Sequence, residues 1–207
     1  MLPISCGSRG QLLASDPSIT NHVSSAVRTV TLPCISMRRV RVMLSCGSLG
    51  PLALSGDAMA WGTWGFLRGY GDSPPAGSVA TRQGRAAFLQ RVVRQLGLQR
   101  PVLVSPSMSG RFALPFLLAH GEQLAGFVPI APVGTREYSA VQYQQVQTPT
   151  LILYGDRDTG LGQQALQSLR HLPKHRVVVL PGAGHACYMD KPEDFHQALL
   201  GFLGQLQ

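Results

Sequence analysis

"VLVSPSMSGRFALP" (residues 102–115) begins as an apolar strand and ends with helical spacing, and between the two lies a cluster of small residues holding Ser105, Ser107 and Ser109. A chain that turns this abruptly from strand to helix presents the side chain at the bend. The crowding of that turn demands small residues two places before and two places after it. Centred on Ser107, those places hold Ser105 and Ser109. Centred on Ser109 they would hold Ser107 and Arg111, and centred on Ser105 they would require Leu103 to be small. Ser107 is therefore the candidate nucleophile, in a Ser-Pro-Ser-Met-Ser setting rather than the commoner G-x-S-x-G.

The flanks of this stretch have a regular pattern. Upstream, from Thr81, the residues Phe88, Leu89, Val92, Val93 and Leu96 fall at helical spacing, with Arg82, Arg85, Arg91 and Arg94 on the other side and Gly97 placed to end the helix. A buried strand over 101–105 follows, then a helix to about His120 that Pro115 bends for want of an amide hydrogen. Downstream, "GFVPIAPV" (126–133), "TPTLILYG" (148–155) and "HRVVVLPG" (175–182) are short apolar runs bounded by Gly and Pro. Their β-branched content suits strands covered on both faces. "GQQALQSLRHL" (162–172) reads as helical. Pro192 opens a last helix, with Glu193 and Asp194 at its positive end and a core stripe of Phe195, Ala198, Leu199, Phe202, Leu203 and Leu206. Strands alternating with helices predict an α/β fold, a mostly parallel sheet flanked by helices.

A hydroxyl is a weak nucleophile until a base takes its proton, and the base must be oriented by a carboxylate. "YGDRD" (154–158) follows the third strand of the series and "GAGHACY" (182–188) the fourth. His185 is the candidate base, and either Asp156 or Asp158 could hold its ring. Taken singly, a serine at a helix start is an ordinary cap and an aspartate after a strand an ordinary turn residue. Serine, acid and histidine in that order on successive strand ends are what raise the expectation of a triad.

Composition narrows the alternatives. With 207 residues, 44% of them hydrophobic and 14% charged, the chain is large enough for one domain with a sizeable core. The net charge of +8 is carried almost wholly by arginines spread along the chain, only Arg38, Arg39 and Arg41 being grouped, which argues against a nucleic-acid surface. Cys6, Cys34, Cys46 and Cys187 form no CxxC pair and suit reduced thiols in a cytoplasmic protein. "HLPKH" puts His171 and His175 four apart, but Pro173 prevents the helix that would aim both at a metal. "GYGDSP" lacks the third glycine of a dinucleotide loop. Ser48 has small flanks but is followed by Pro51 and no helical pattern, so it reads as a loop serine. Cys187, close to His185, reads as packing. "REYSAVQYQQVQ" (136–147) is a short candidate cover for the site, with Tyr138 and Tyr143 as candidate lining or, more simply, surface packing.

"VLVSPSMSGRFALPFL", "GFVPIAP", "TPTLILYGDRD", "HLPKHRVVVLPGAGHACYMDKPEDFH" and the final helix resemble the alpha/beta hydrolase domain-containing protein 14 family, the A-type more closely than the B-type. The likeness runs from Gly69 to the last residue. It implies the α/β-hydrolase fold and a triad of Ser107 as nucleophile, Asp158 as acid in preference to Asp156, and His185 as base. It further implies an oxyanion donor in the backbone amide of Met108. No metal or organic cofactor is implied. The implied substrates are small acyl esters or acylated amines, with a thiol acyl acceptor as one destination of the acyl group.

Upstream the likeness stops, and residues 1–68 form an atypical segment before a 69–207 core that carries the triad. Family members have a His-Gly loop after a strand and a proline where Arg68 stands, and the segment has neither. The A-type's N-terminal membrane anchor has no counterpart here, so membrane association is the expectation only if a native anchor is missing from this chain. An alternative exon or a shifted reading frame would produce such a segment. In it "RRVRVML" (38–44) could be a strand, and "AMAWGTWGFLRG" (58–69) has two tryptophans but little alternation and three glycines. The expected consequence is a sheet with central strands missing, an uncovered edge and no second oxyanion donor. Two expectations follow: a serine hydrolase of esterase or deacylase type, or a catalytically inactive interaction protein built on the same fold.

Overall fold

The apolar runs lie side by side as strands of one sheet. The computed structural model describes the backbone of residues 41–45 and 61–65 and the whole of residues 77–206. In chain order the elements are β1 (Arg41–Ser45), β2 (Trp61–Gly65), α1 (Arg82–Gln95), β3 (Val102–Pro106), α2 (Gly110–His120), β4 (Gly126–Ile130), α3 (Ala140–Gln144), β5 (Thr150–Gly155), α4 (Leu161–Leu169), β6 (His175–Leu180), α5 (Cys187–Asp190) and α6 (Pro192–Leu203). Among the described residues six strands form one sheet in the order β2-β1-β3-β4-β5-β6, and every pairing between them is parallel.

Parallel neighbours need crossover connections, and the helices in those crossovers cover the sheet. Successive strand residues point to opposite faces, so each strand feeds two cores. Leu103, Phe127 and Ile152 join Leu89, Val93, Phe116 and Leu117 on one face. Val102, Val104, Val128, Leu151 and Leu153 meet Phe195, Leu199 and Phe202 of α6 on the other. Local chemistry sets the helix ends. The Thr81 side chain accepts the Gly84 amide at 3.0 Å to start α1, and Gly97, at φ 60°, follows its end. Pro115 lies inside α2, as its sequence predicts.

Three differences from the sequence reading stand out. β6 is not covered on both faces: among the described residues it is an edge strand with β5 as its neighbour, and Val179 is 39% exposed. Its valine run is the same signal that β5 gives, because periodicity cannot distinguish an edge position from a central one. The second difference is β2, which forms at "WGTWG" where the sequence shows little alternation; its pairing with β1 runs from Arg41 opposite Trp61 to Ser45 opposite Gly65. Trp61, Thr63 and Trp64 favour strands while Gly62 and Gly65 oppose them, so the composition alone leaves the outcome open and the neighbouring strand contributes to it. The third is the free side of β3, which is not an uncovered edge: β1 pairs with it, Val42 opposite Val102. Ser48, Cys6, Cys34 and Cys46 lie outside the described residues. Among the described residues no helix is long and apolar enough to cross a membrane.

From β1 the chain moves outward to β2, and from β3 it moves the other way to β4, so the order reverses between β1 and β3. Open parallel sheets bind ligands beside such a switch point, at the carboxyl ends of the strands. Ser107 sits there, directly after β3. Because Leu103 is fully buried in the centre of this sheet, Leu103→Ala is expected to lower stability by about 2–5 kcal/mol. Leu200→Ala, at a position 44% exposed, should change it by no more than about 0.5 kcal/mol. Urea denaturation of the two variants checks the contrast.

Candidate active site

β3 ends at Pro106, and the next residue reverses the sign of its backbone dihedral: Ser107 has φ 45°. This left-handed conformation is rare for a residue with a side chain and costs of order 1–3 kcal/mol, so the surroundings must impose it. They do so from the loop after β4. The Val133 amide donates to the Ser107 carbonyl at 2.8 Å. A side chain on Gly110 would place its Cβ 2.4 Å from the Val133 carbonyl oxygen and 2.8 Å from Pro132 Cβ, so that loop packs directly on the first turn of α2. Ser105 and Ser109 are fully buried on either side, and the Ser105 hydroxyl has no hydrogen-bond partner. Ser105 is there for its size, not for its hydroxyl. Ser107–Ser109 form a 3-10 turn leading into α2. The Met108 amide thus lies at a helix start, where backbone N–H groups lack intrahelical acceptors.

The ends of β5 and β6 come together as closely. A Cβ on Gly155 would lie 2.2 Å from the Ala183 carbonyl oxygen and 2.4 Å from that of Gly184. Only a glycine lets the two loops close to this distance. Between them the Arg157 amide donates to the Ala183 carbonyl at 3.0 Å, and the Asp156 amide to that of Leu180 at 3.2 Å. This closure brings three side chains into line. His185 Nδ1 is 2.6 Å from Asp158 Oδ2, and His185 Nε2 is 2.8 Å from Ser107 Oγ. A carboxylate only accepts, so Nδ1 carries the ring proton, and Nε2 is left to accept from the Ser107 hydroxyl. Asp158 is 9% exposed, whereas the His185 side chain is 42% exposed. The carboxylate is thus shielded while the His185 ring faces solvent. Of the two aspartates that spacing left open, Asp156 turns elsewhere: its Oδ1 accepts the Gly182 amide at 2.8 Å.

The other sequence candidates are placed away from this line. Cys187 is buried, and burial, reinforced by the charges of Asp158 and Asp190, pushes its thiol up to about 12 against two lowering backbone hydrogen bonds. It is packing material, not a thiolate. Tyr143 is fully buried, donates its hydroxyl to the Thr135 carbonyl at 2.8 Å, and is part of the core. Tyr138 packs edge-on against it at 6.2 Å and lies under the Arg82 guanidinium, which pairs with Glu137 at 3.2 Å. The 136–147 segment is therefore pinned to the body of the domain. Its glutamines Gln142, Gln145 and Gln147 line a cavity of about 440 Å³ with Leu117 and Gly121, at the far end of α2 from Ser107. His175 Nδ1 donates to the Leu172 carbonyl at 2.6 Å. Among the described residues no group of three or more His, Cys, Asp or Glu side chains is arranged to hold a metal ion.

Comparison with known proteins matches this architecture. A human protein named "Putative protein-lysine deacylase ABHD14B" is 49% identical over 143 residues, which cover 68% of each chain. The chain belongs to the ABHD14 family. It is nearer in sequence to the A-type: protein ABHD14A of Danio rerio is 56% identical over 161 residues, 77% of this chain. The chain spans 58% of that relative's length. Among solved structures, the carboxylesterase CesB of Bacillus subtilis superposes with a TM-score of 0.67 at 17% identity, covering 84% of this chain and 85% of that one. MGS-MChE2, an alpha/beta hydrolase enzyme from a lagoon-sediment metagenome, gives 0.65 at 18% identity over 81% and 92%. These likenesses show the α/β-hydrolase fold. No family model matches the chain.

The thiol of Cys187 gives a check on the packing under the site. Iodoacetamide at pH 8 should leave the Cys187 peptide unmodified in the folded chain and alkylate it after denaturation, as read by peptide mass spectrometry. The raised value also sets a pH dependence. The folded thiol stays protonated above its ordinary 9.0, so its contribution to stability is complete below pH 9 and is lost as the pH rises toward about 12.

Proposed function

We propose that the chain is a serine hydrolase of esterase or deacylase type, acting on small acyl esters or acylated amines through an acyl-enzyme on Ser107. The observation that carries this is the single imidazole bridging Ser107 Oγ at 2.8 Å and Asp158 Oδ2 at 2.6 Å. In this reading Ser107 attacks the acyl carbonyl as its proton passes to His185 Nε2, and Asp158 stabilises the imidazolium. The carbonyl oxygen takes up negative charge and is met by the Met108 amide. His185 then returns the proton to the departing alcohol or amine, leaving the acyl group on Ser107. Water, or a thiol acceptor, attacks that ester with His185 again as base, releasing the acyl product and restoring the Ser107 hydroxyl. The name of the human relative, a putative protein-lysine deacylase, supports acylated amines as a substrate class, and the carboxylesterase likeness is compatible with esters. Between Asp158 and His185 the chain is taken up by α4, β6 and short turns, which leaves no room for a large lid.

The test is labelling with a serine-directed fluorophosphonate, mapped by peptide mass spectrometry. Label is expected at Ser107 alone, lost in Ser107→Ala and in His185→Ala. Asp158→Asn is expected to lower turnover of a small acyl ester by about four orders of magnitude, because the ring loses the tautomer it needs. A chain that unfolds cooperatively yet takes no label would contradict the reading and favour the catalytically inactive interaction protein.

A further inference from the structure

We infer that Asp156 and Asp190 are positioning residues that hold the histidine loop from its two sides and so fix where His185 stands. The inference rests on the reading of Ser107, His185 and Asp158 as a triad. The loop before His185 is Pro181-Gly182-Ala183-Gly184, with Gly182 at φ 73°. Two glycines, Gly182 and Gly184, within the three residues before a catalytic base give the chain more conformational freedom than any other residues would. None of these four residues has a polar side chain with which to anchor itself.

The anchors come from outside. Asp156 Oδ1 accepts the Gly182 amide at 2.8 Å, the Arg157 amide donates to the Ala183 carbonyl at 3.0 Å, and Asp190 Oδ2 accepts the Gly184 amide at 2.7 Å. Three consecutive loop residues are thus held, two of them by hydrogen bonds to carboxylates, which are the stronger kind. Asp156 reaches the loop from the end of β5, two residues from Asp158. Asp190 reaches back from the end of α5, five residues past His185. One carboxylate ties the loop to the strand that supplies the acid, and the other ties it to the helix that follows the base. Both aspartates are exposed, so neither serves the core, and their removal should cost the fold little. Misplacing a catalytic group by an ångström can cost about a hundredfold in rate.

The experiment measures hydrolysis of p-nitrophenyl acetate by the full chain and by Asp156→Ala, Asp156→Asn, Asp190→Ala and Asp190→Asn, beside Ser107→Ala and with a thermal melt of each. Each alanine variant is expected to lower kcat by about tenfold to a hundredfold with KM little changed. Each asparagine variant keeps an oxygen that can accept the glycine amide and should recover most of the lost rate. Alanine variants that fold and turn over at the parent rate would overturn the inference. So would asparagine variants as slow as the alanine ones, since the bond would then not be what matters. Should an alanine variant fail to melt cooperatively, its folded asparagine counterpart decides on the same criterion: active supports the inference, slow overturns it. A parent chain whose hydrolysis is no faster than that of Ser107→Ala would sink the triad reading itself, a result distinct from all of these.

Discussion

The site depends on one strained residue. Ser107 holds a left-handed backbone at the end of β3, and that bend keeps its hydroxyl from being buried between strand and helix. A conformation costing of order 1–3 kcal/mol persists only where its neighbours leave no alternative. Here they are a strand paired on both sides, the Val133 amide on the Ser107 carbonyl, and a helix start whose Gly110 lies against the 132–133 backbone. The buried Ser105 and Ser109 leave the turn enough room. The parallel sheet is thus more than a scaffold: it supplies the force that keeps the hydroxyl presented.

The partners of that hydroxyl arrive by the same logic of close approach. β5 and β6 are neighbours in the sheet, so the loops at their carboxyl ends emerge side by side, and the missing side chain at Gly155 lets them touch. The result is a contrast in exposure between the shielded carboxylate of Asp158 and the open ring of His185. A shielded carboxylate with the ring as its partner is a strong acceptor, which fixes the ring's orientation and tautomer before any substrate arrives. Cys187, packed beneath the loop with its thiol kept neutral by burial, adds volume without competing chemistry.

What the sequence disclosed follows from which interactions are local. The elbow at Ser107 was legible because its steric demand falls on residues two places away. β3, β4 and β5 were legible because strands buried on both faces must be apolar throughout. β6 carries the same apolar run at the sheet edge, so its exposure could not be read. β2 was illegible because "WGTWG" has little alternation and two glycines, and its pairing partner β1 lies elsewhere in the chain. Asp156 and Asp158 share the same turn after the same strand, so spacing could not separate them; the contact to His185 falls on Asp158 and the contact to Gly182 on Asp156. Asp190 gave no signal at all. An acid five residues past a histidine is unremarkable until the chain folds it back onto Gly184.

The central claim is that His185 is held with its proton on Nδ1 toward Asp158 and its Nε2 open to the Ser107 hydroxyl. The most direct measurement is the nitrogen chemical shifts of the histidine rings in the ¹⁵N-labelled chain at neutral pH, with His185 assigned from His185→Ala. The account predicts a His185 ring protonated at Nδ1 and unprotonated at Nε2, a preference lost in Asp158→Ala. A His185 ring protonated at Nε2 in the parent chain would contradict it, because Ser107 would then have no base.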